Sequence, residues 1–96
     1  MRMMLRAQIA AIEGGAAIKS GALQKAVGGF VERFKPEATF FTTTDGERSA
    51  IFVFDMKGSD DMPAIAEAFF DMGWRVQLTP CMNGDDLQKG FATAGL

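Results

Sequence analysis

The chain has 96 residues, of which 48% are hydrophobic and 23% charged, and its net charge is −2. This length gives a single domain, residues 1–96, with a modest core; ten scattered Lys and Arg residues leave no basic patch for nucleic acid. No apolar run approaches the ~20 residues of a membrane span, no amphipathic segment has the basic face that seats a helix on a membrane surface, and one cysteine excludes a disulfide-stapled secreted scaffold.

The start of the chain is basic and has no acid before Glu13. Arg6 and Gln8 interrupt any signal-peptide core, so a cytoplasmic protein is expected. Alternation of Leu5, Ala7 and Ile9 with Met4, Arg6 and Gln8 predicts a strand over 3–10. Gly14-Gly15 breaks the pattern and predicts a connection. Ser20 is placed to cap a helix, and Leu23, Val27, Phe30 and Phe34 follow at helical spacing. Gly28-Gly29 inside that helix costs about 1 kcal/mol per glycine relative to alanine, so a close approach of helix to sheet is expected there. Lys35-Pro36 ends the helix.

Residues 38–43 are β-branched and aromatic, as a strand requires. Asp45-Gly46 predicts a tight hairpin turn into a second strand over 47–55. Gly58-Ser59-Asp60 leads into a helix with Pro63 in its first turn. Met62, Ile65, Ala66 and Phe69 form that helix's apolar stripe, and Gly73 suits its C-terminal cap. Trp74, Val76 and Leu78 alternate in a strand over 74–79. Asn83 is the expected cap of a short last helix with Asp85 and Asp86 in its first turn. The predicted fold is therefore α+β, a ferredoxin-like βαββαβ unit with a short C-terminal helix and both main helices on one sheet face.

The second face of that sheet is mixed. It carries Met4, Arg6 and Gln8, then Ile51, Val53 and Asp55, then Arg75, Gln77 and Thr79. The strand over 38–43 adds either Phe41 with Thr39 and Thr43, or Phe40 with Thr42. Such a face is too apolar for full exposure and too polar for a plain core. A partner sheet, a ligand cavity or both would resolve the conflict. Nine Phe and seven Met in so short a chain also favour an oligomer.

Four segments carry a family resemblance: Phe34-Lys35-Pro36-Glu37-Ala38-Thr39-Phe40-Phe41, Phe52-Val53-Phe54-Asp55-Met56, Pro63-Ala64-Ile65-Ala66-Glu67 and Pro80-Cys81-Met82-Asn83-Gly84-Asp85-Asp86-Leu87. With the element order, they resemble the dimeric α+β barrel superfamily, and within it one of the small, uncharacterised bacterial families. The resemblance implies a homodimer in which two such sheets face each other. The superfamily includes cofactor-independent monooxygenases, muconolactone-isomerase-like enzymes and haem-handling proteins, and the resemblance supplies no catalytic motif.

Several chemistries are closed or weakened by composition. The chain has no histidine and no tyrosine, which removes the commonest general base and metal ligand and the Ser-His and Cys-His nucleophile pairs. Cys81 lacks the electropositive setting of a reactive thiol and reads as a structural, half-buried side chain. Asp60-Asp61 and Asp85-Asp86 read as helix caps and dipole partners rather than metal ligands. No metal and no cofactor is expected. The candidate ligand contacts are Arg6, Gln8, Phe41, Thr43, Asp55 and Gln77. Arg6 would grip a carboxylate or phosphate, or else pair with Asp55 or an acid of a partner subunit. Three functions stay open: a small-molecule-binding homodimer, a cofactor-independent monooxygenase or isomerase, and a purely structural interaction module.

Overall fold

The alternation near the start of the chain becomes strand β1 (Arg2–Ile9) in a computed structural model that describes all 96 residues. Leu5, Ala7 and Ile9 are buried while Met4 and Arg6 are half-buried, the period-two burial imposed by one covered sheet face. There follow α1 (Ala11–Ser20), α2 (Ala22–Phe34), β2 (Ala38–Thr44), β3 (Glu47–Asp55), α3 (Met62–Phe70), β4 (Arg75–Pro80) and α4 (Gly84–Ala94). The strands form one antiparallel sheet in the order β2-β3-β1-β4. The fold is thus α+β, a four-stranded antiparallel sheet with four helices. No helix is long and apolar enough to cross a membrane.

The core lies between the sheet and helices α2 and α3. The α2 stripe, Leu23, Val27, Phe30 and Phe34, packs on it as the spacing predicts. Phe30 is the hub, its ring 4.5 Å from Phe52 and 5.1 Å, edge-on, from Phe54. From α3 come Ile65 and Phe69, both buried, whereas Met62 of the expected stripe is exposed.

The turn residues act as their chemistry requires. Asp45 and Gly46 both have positive φ, 52° and 77°, the geometry that joins twisted antiparallel strands in two residues. Gly73 is left-handed at φ 76°. Its N–H reaches Phe70 O and the Trp74 N–H reaches Phe69 O, a Schellman closure. The apolar contact that accompanies this closure is Trp74 on Phe69, with ring centroids 5.5 Å apart. Trp74 therefore precedes β4 and serves as the cap's core anchor. Asn83 accepts from the Asp86 N–H at 2.8 Å, and Asp86 accepts from the Asn83 N–H, a full capping box.

Three expectations are corrected. Residues 11–20 form helix α1 and not an irregular connection, because Gly14 and Ala17 bury on one side of it. A side chain at Gly14 would meet Ile9 at 3.0 Å and Arg48 at 3.1 Å, so the lack of one lets the helix dock. The close approach expected at Gly28-Gly29 is absent: a Cβ at either would meet nothing within 4 Å. Ser20 is the last residue of α1 and not the expected cap of α2, whose N-cap position is the left-handed Gly21; the Ser20 Oγ accepts from the Ala22 N–H at 3.3 Å.

The outline is extended. The radius of gyration is 15.0 Å, against ~12.5 Å for a compact chain of this length. The exposed area is 6184 Å², whereas a folded monomer of this mass exposes ~5,400 Å². Helix α4 contributes to both, since no residue in it is buried.

Candidate functional site

Directly opposed residues of an antiparallel pair share a face, so the register defines the open face row by row. Arg6 opposes Ile51 on β3 and Gln77 on β4, and Ile51 opposes Phe40 on β2. This row runs Phe40, Ile51, Arg6, Gln77. On one side lies Thr42, Ser49, Gln8, Arg75; on the other lies Ala38, Val53, Met4, Thr79. Of the two alternatives for β2, the structure takes Phe40 with Thr42. Phe41 and Thr43 oppose Ala50 and Arg48 and belong to the helix face. They are removed from the open-face site, because a shift of one residue along a strand exchanges its faces. Phe40 is 62% exposed, a large apolar ring facing solvent beside Ile51 and Val53.

One end of this face is polar and tightly organised. Gln8 is buried and its Nε2 donates to Glu47 Oε1 at 2.8 Å and to Thr44 O at 3.1 Å. Glu47 also accepts from Arg75. The hydroxyls of Thr44 and Ser49 lie 2.8 Å apart. Both Gln8 donors are therefore occupied within the chain, which makes it a positioning residue for Glu47 and the hairpin end.

Arg6 stands apart from this network. Its Nε is buried and has no hydrogen-bond partner. No carboxylate forms an ion pair with it. A depression of about 100 Å³ opens beside it, lined by Arg6, Gln8, Asp45, Arg75 and Gln77. A guanidinium with an unmet donor next to a second arginine and an exposed amide suits a small oxyanion. Of the lining residues only Asp45 carries a group that could act as a base; arginine and glutamine supply none.

Asp55 is not part of this group. It opposes Arg2, four residues along β3 from Ile51, about 13 Å at strand rise. It is held by Lys57 Nζ at 2.5 Å and by the N-terminal ammonium at 2.7 Å. The Lys57 hydrogen bond first, and the N-terminal one second, lower its pKa to about 2. At the same end, Arg2 joins Glu37 and Asp86, each at 2.5 Å. By alternation Arg2 points to the open face, so α4 leaves the domain on that side. Its exposed stripe contains Leu87 and Phe91, 39% and 41% exposed.

The sequence reading placed Arg75 on this face without naming it as a contact and missed Glu47. Alternation from Gln77 back to Arg75 carried the first signal; the second depends on hairpin register. Other hollows lie on the helix side. The largest, about 410 Å³ between α2 and α3, has Phe30 and Phe69 among its lining residues, and neither buried unpaired polar atom belongs to a residue that lines it. Set against known proteins, the chain matches no protein-family model and no curated protein.

Proposed function

We propose that this chain is a homodimer that holds a small anionic molecule between two facing sheets. The observation that carries the reading is the row Phe40, Ile51, Arg6, Gln77, which joins exposed apolar surface to an arginine donor with no acceptor. Covering the row with a second sheet would remove the apolar groups from water and leave Arg6 facing a shared cleft. The area supports it: the excess exposed surface, about 800 Å², equals one partner's share of a standard interface. On this reading the fold is ferredoxin-like, with α1 added to the first crossover, and the pair forms a dimeric α+β barrel. The absence of histidine and tyrosine favours binding over catalysis.

A pure interaction module is the second reading, favoured by the internal pairing of Gln8, Glu47 and Arg75. Light scattering behind size exclusion tests the dimer, with Val53→Arg as the variant; Val53 is half-buried on the open face. The wild type should run as a dimer at micromolar concentration and the variant as a folded monomer. A monomeric wild type ends both the barrel and the shared cleft. Phosphate or benzoate titration of the dimer, compared with Arg6→Met, then separates ligand cleft from plain interface.

A further inference from the structure

The second buried polar atom without a partner lies on the opposite side of the sheet. It is the indole Nε1 of Trp74, a residue only 4% exposed. An unpaired buried donor carries a desolvation cost that a native fold ordinarily meets with an acceptor. Trp74 borders a hollow of about 190 Å³ whose walls include Leu23, Val27, Phe41, Ala50 and Arg48. The hollow has a simple origin in sequence. The cross-sheet row on the helix face runs Phe41, Ala50, Ala7, Val76. Ala50, the small residue of this row that lines the hollow, leaves unfilled space beneath the elbow where α1 meets α2 at Gly21.

We propose that this hollow binds a small, mainly apolar molecule bearing one oxygen acceptor, of the aryl ketone or aryl ester class, whose oxygen takes the Trp74 N–H. Size and lining agree. An apolar cavity of about 150 Å³ is enough for one benzene ring, and the extra volume here accommodates a short acyl group. Six of the nine lining residues are apolar, and a small number of placed polar groups is what orients ligands in such pockets. Phe41, removed from the open face by the register, finds its role here as an edge wall. The site is independent of the dimer reading, since it faces the helices.

Trp74 is the only tryptophan, so the indole N–H of the ¹⁵N-labelled full chain gives one cross-peak. Titration with acetophenone should move that proton downfield and saturate. Ethylbenzene, the same ring without an acceptor, should give no downfield shift. Trp74→Phe should weaken acetophenone binding by calorimetry about fivefold, the ordinary worth of one hydrogen bond, and leave ethylbenzene unchanged. Ala50→Leu should abolish binding by filling the hollow. Val27→Phe serves the same purpose from the helix side if the first variant loses its circular dichroism. A cross-peak that never moves, an identical response to both probes, or undiminished binding in a folded filling variant would overturn the proposal. So would a bound water on the indole that neither probe displaces.

Discussion

Arg6 on β1 lies directly opposite Gln77 on β4, and none of the chain's five ion pairs includes it. A guanidinium whose Nε is buried without a partner lowers stability until something accepts from it. Replacement by an apolar side chain of similar length removes the unmet donor, whose burial without a partner costs ~1–3 kcal/mol. Arg6→Met should therefore raise the urea midpoint in ligand-free buffer while abolishing stabilisation by added phosphate or benzoate. A variant less stable than wild type without any anion would mean that Arg6 is already paired, as it would be by an acid of the proposed partner copy.

Helix α4 has its caps but no packing. Its 11 residues fall short of the ~12–15 at which even good helix formers become marginal alone in water. The capping box and the Arg2–Asp86 contact hold only its first turn. Its Leu87 and Phe91 face solvent on the side where the second copy is proposed to sit. Amides of residues 84–94 should thus exchange slowly at high protein concentration and faster on dilution, by mass spectrometry. Phe91→Ser should weaken the proposed dimer about tenfold, the worth of one well-packed anchor, without altering the core. Exchange that ignores concentration would place α4 against its own chain.

Acid should act first at the Arg2 end of the sheet. The Asn83 backbone hydrogen bond, followed by Arg2, lowers the Asp86 pKa; Lys57 and the N-terminus hold Asp55 near 2. Both carboxylates are depressed on folding, so their contribution is complete above the unfolded value, about 3.9. It is lost as pH falls through the folded-state values. Urea midpoints measured from pH 7 to pH 2 should converge for wild type and Asp86→Asn at the acid end. Curves that stay parallel down to pH 2 would show that the charge contributes nothing to folding. Both groups are exposed, so solvent screening keeps the effect small.

The sheet was legible because strands with one buried face write a period of two into the chain, and Asp45-Gly46 tied two of them together. The open-face candidates Arg6, Gln8 and Gln77 followed from that alternation. Phe41, Thr43 and Asp55 did not survive, for two reasons. The phase of β2 is ambiguous where Phe40 and Phe41 are adjacent, and only pairing register resolves it. Asp55 shares the face with Arg6 but lies at the far end, a distance that alternation does not encode. Helix α1 was hidden for a different reason: its glycines oppose helix formation locally, and the packing that overrides them is long-range.

Glycines in α1 and α2 give the most direct test of the fold. Gly14 and Gly28 both sit inside helices, where glycine costs about 1 kcal/mol relative to alanine, yet their surroundings differ. At Gly28 a methyl group would enter open space. Gly28→Ala should stabilise by roughly 0.5–1 kcal/mol, through helix propensity and a less flexible unfolded chain. At Gly14 the same methyl group would press on Ile9 and Arg48, and Arg48 is held there by its bond to Ala11 O at 2.9 Å. Gly14→Ala should lose that advantage and destabilise by about 1–3 kcal/mol, the range for overpacking. Urea unfolding of the two single variants decides the matter. Equal stabilisation by both would mean that α1 does not dock on β1 and β3, and the first crossover would then be the irregular connection that its two glycines suggest.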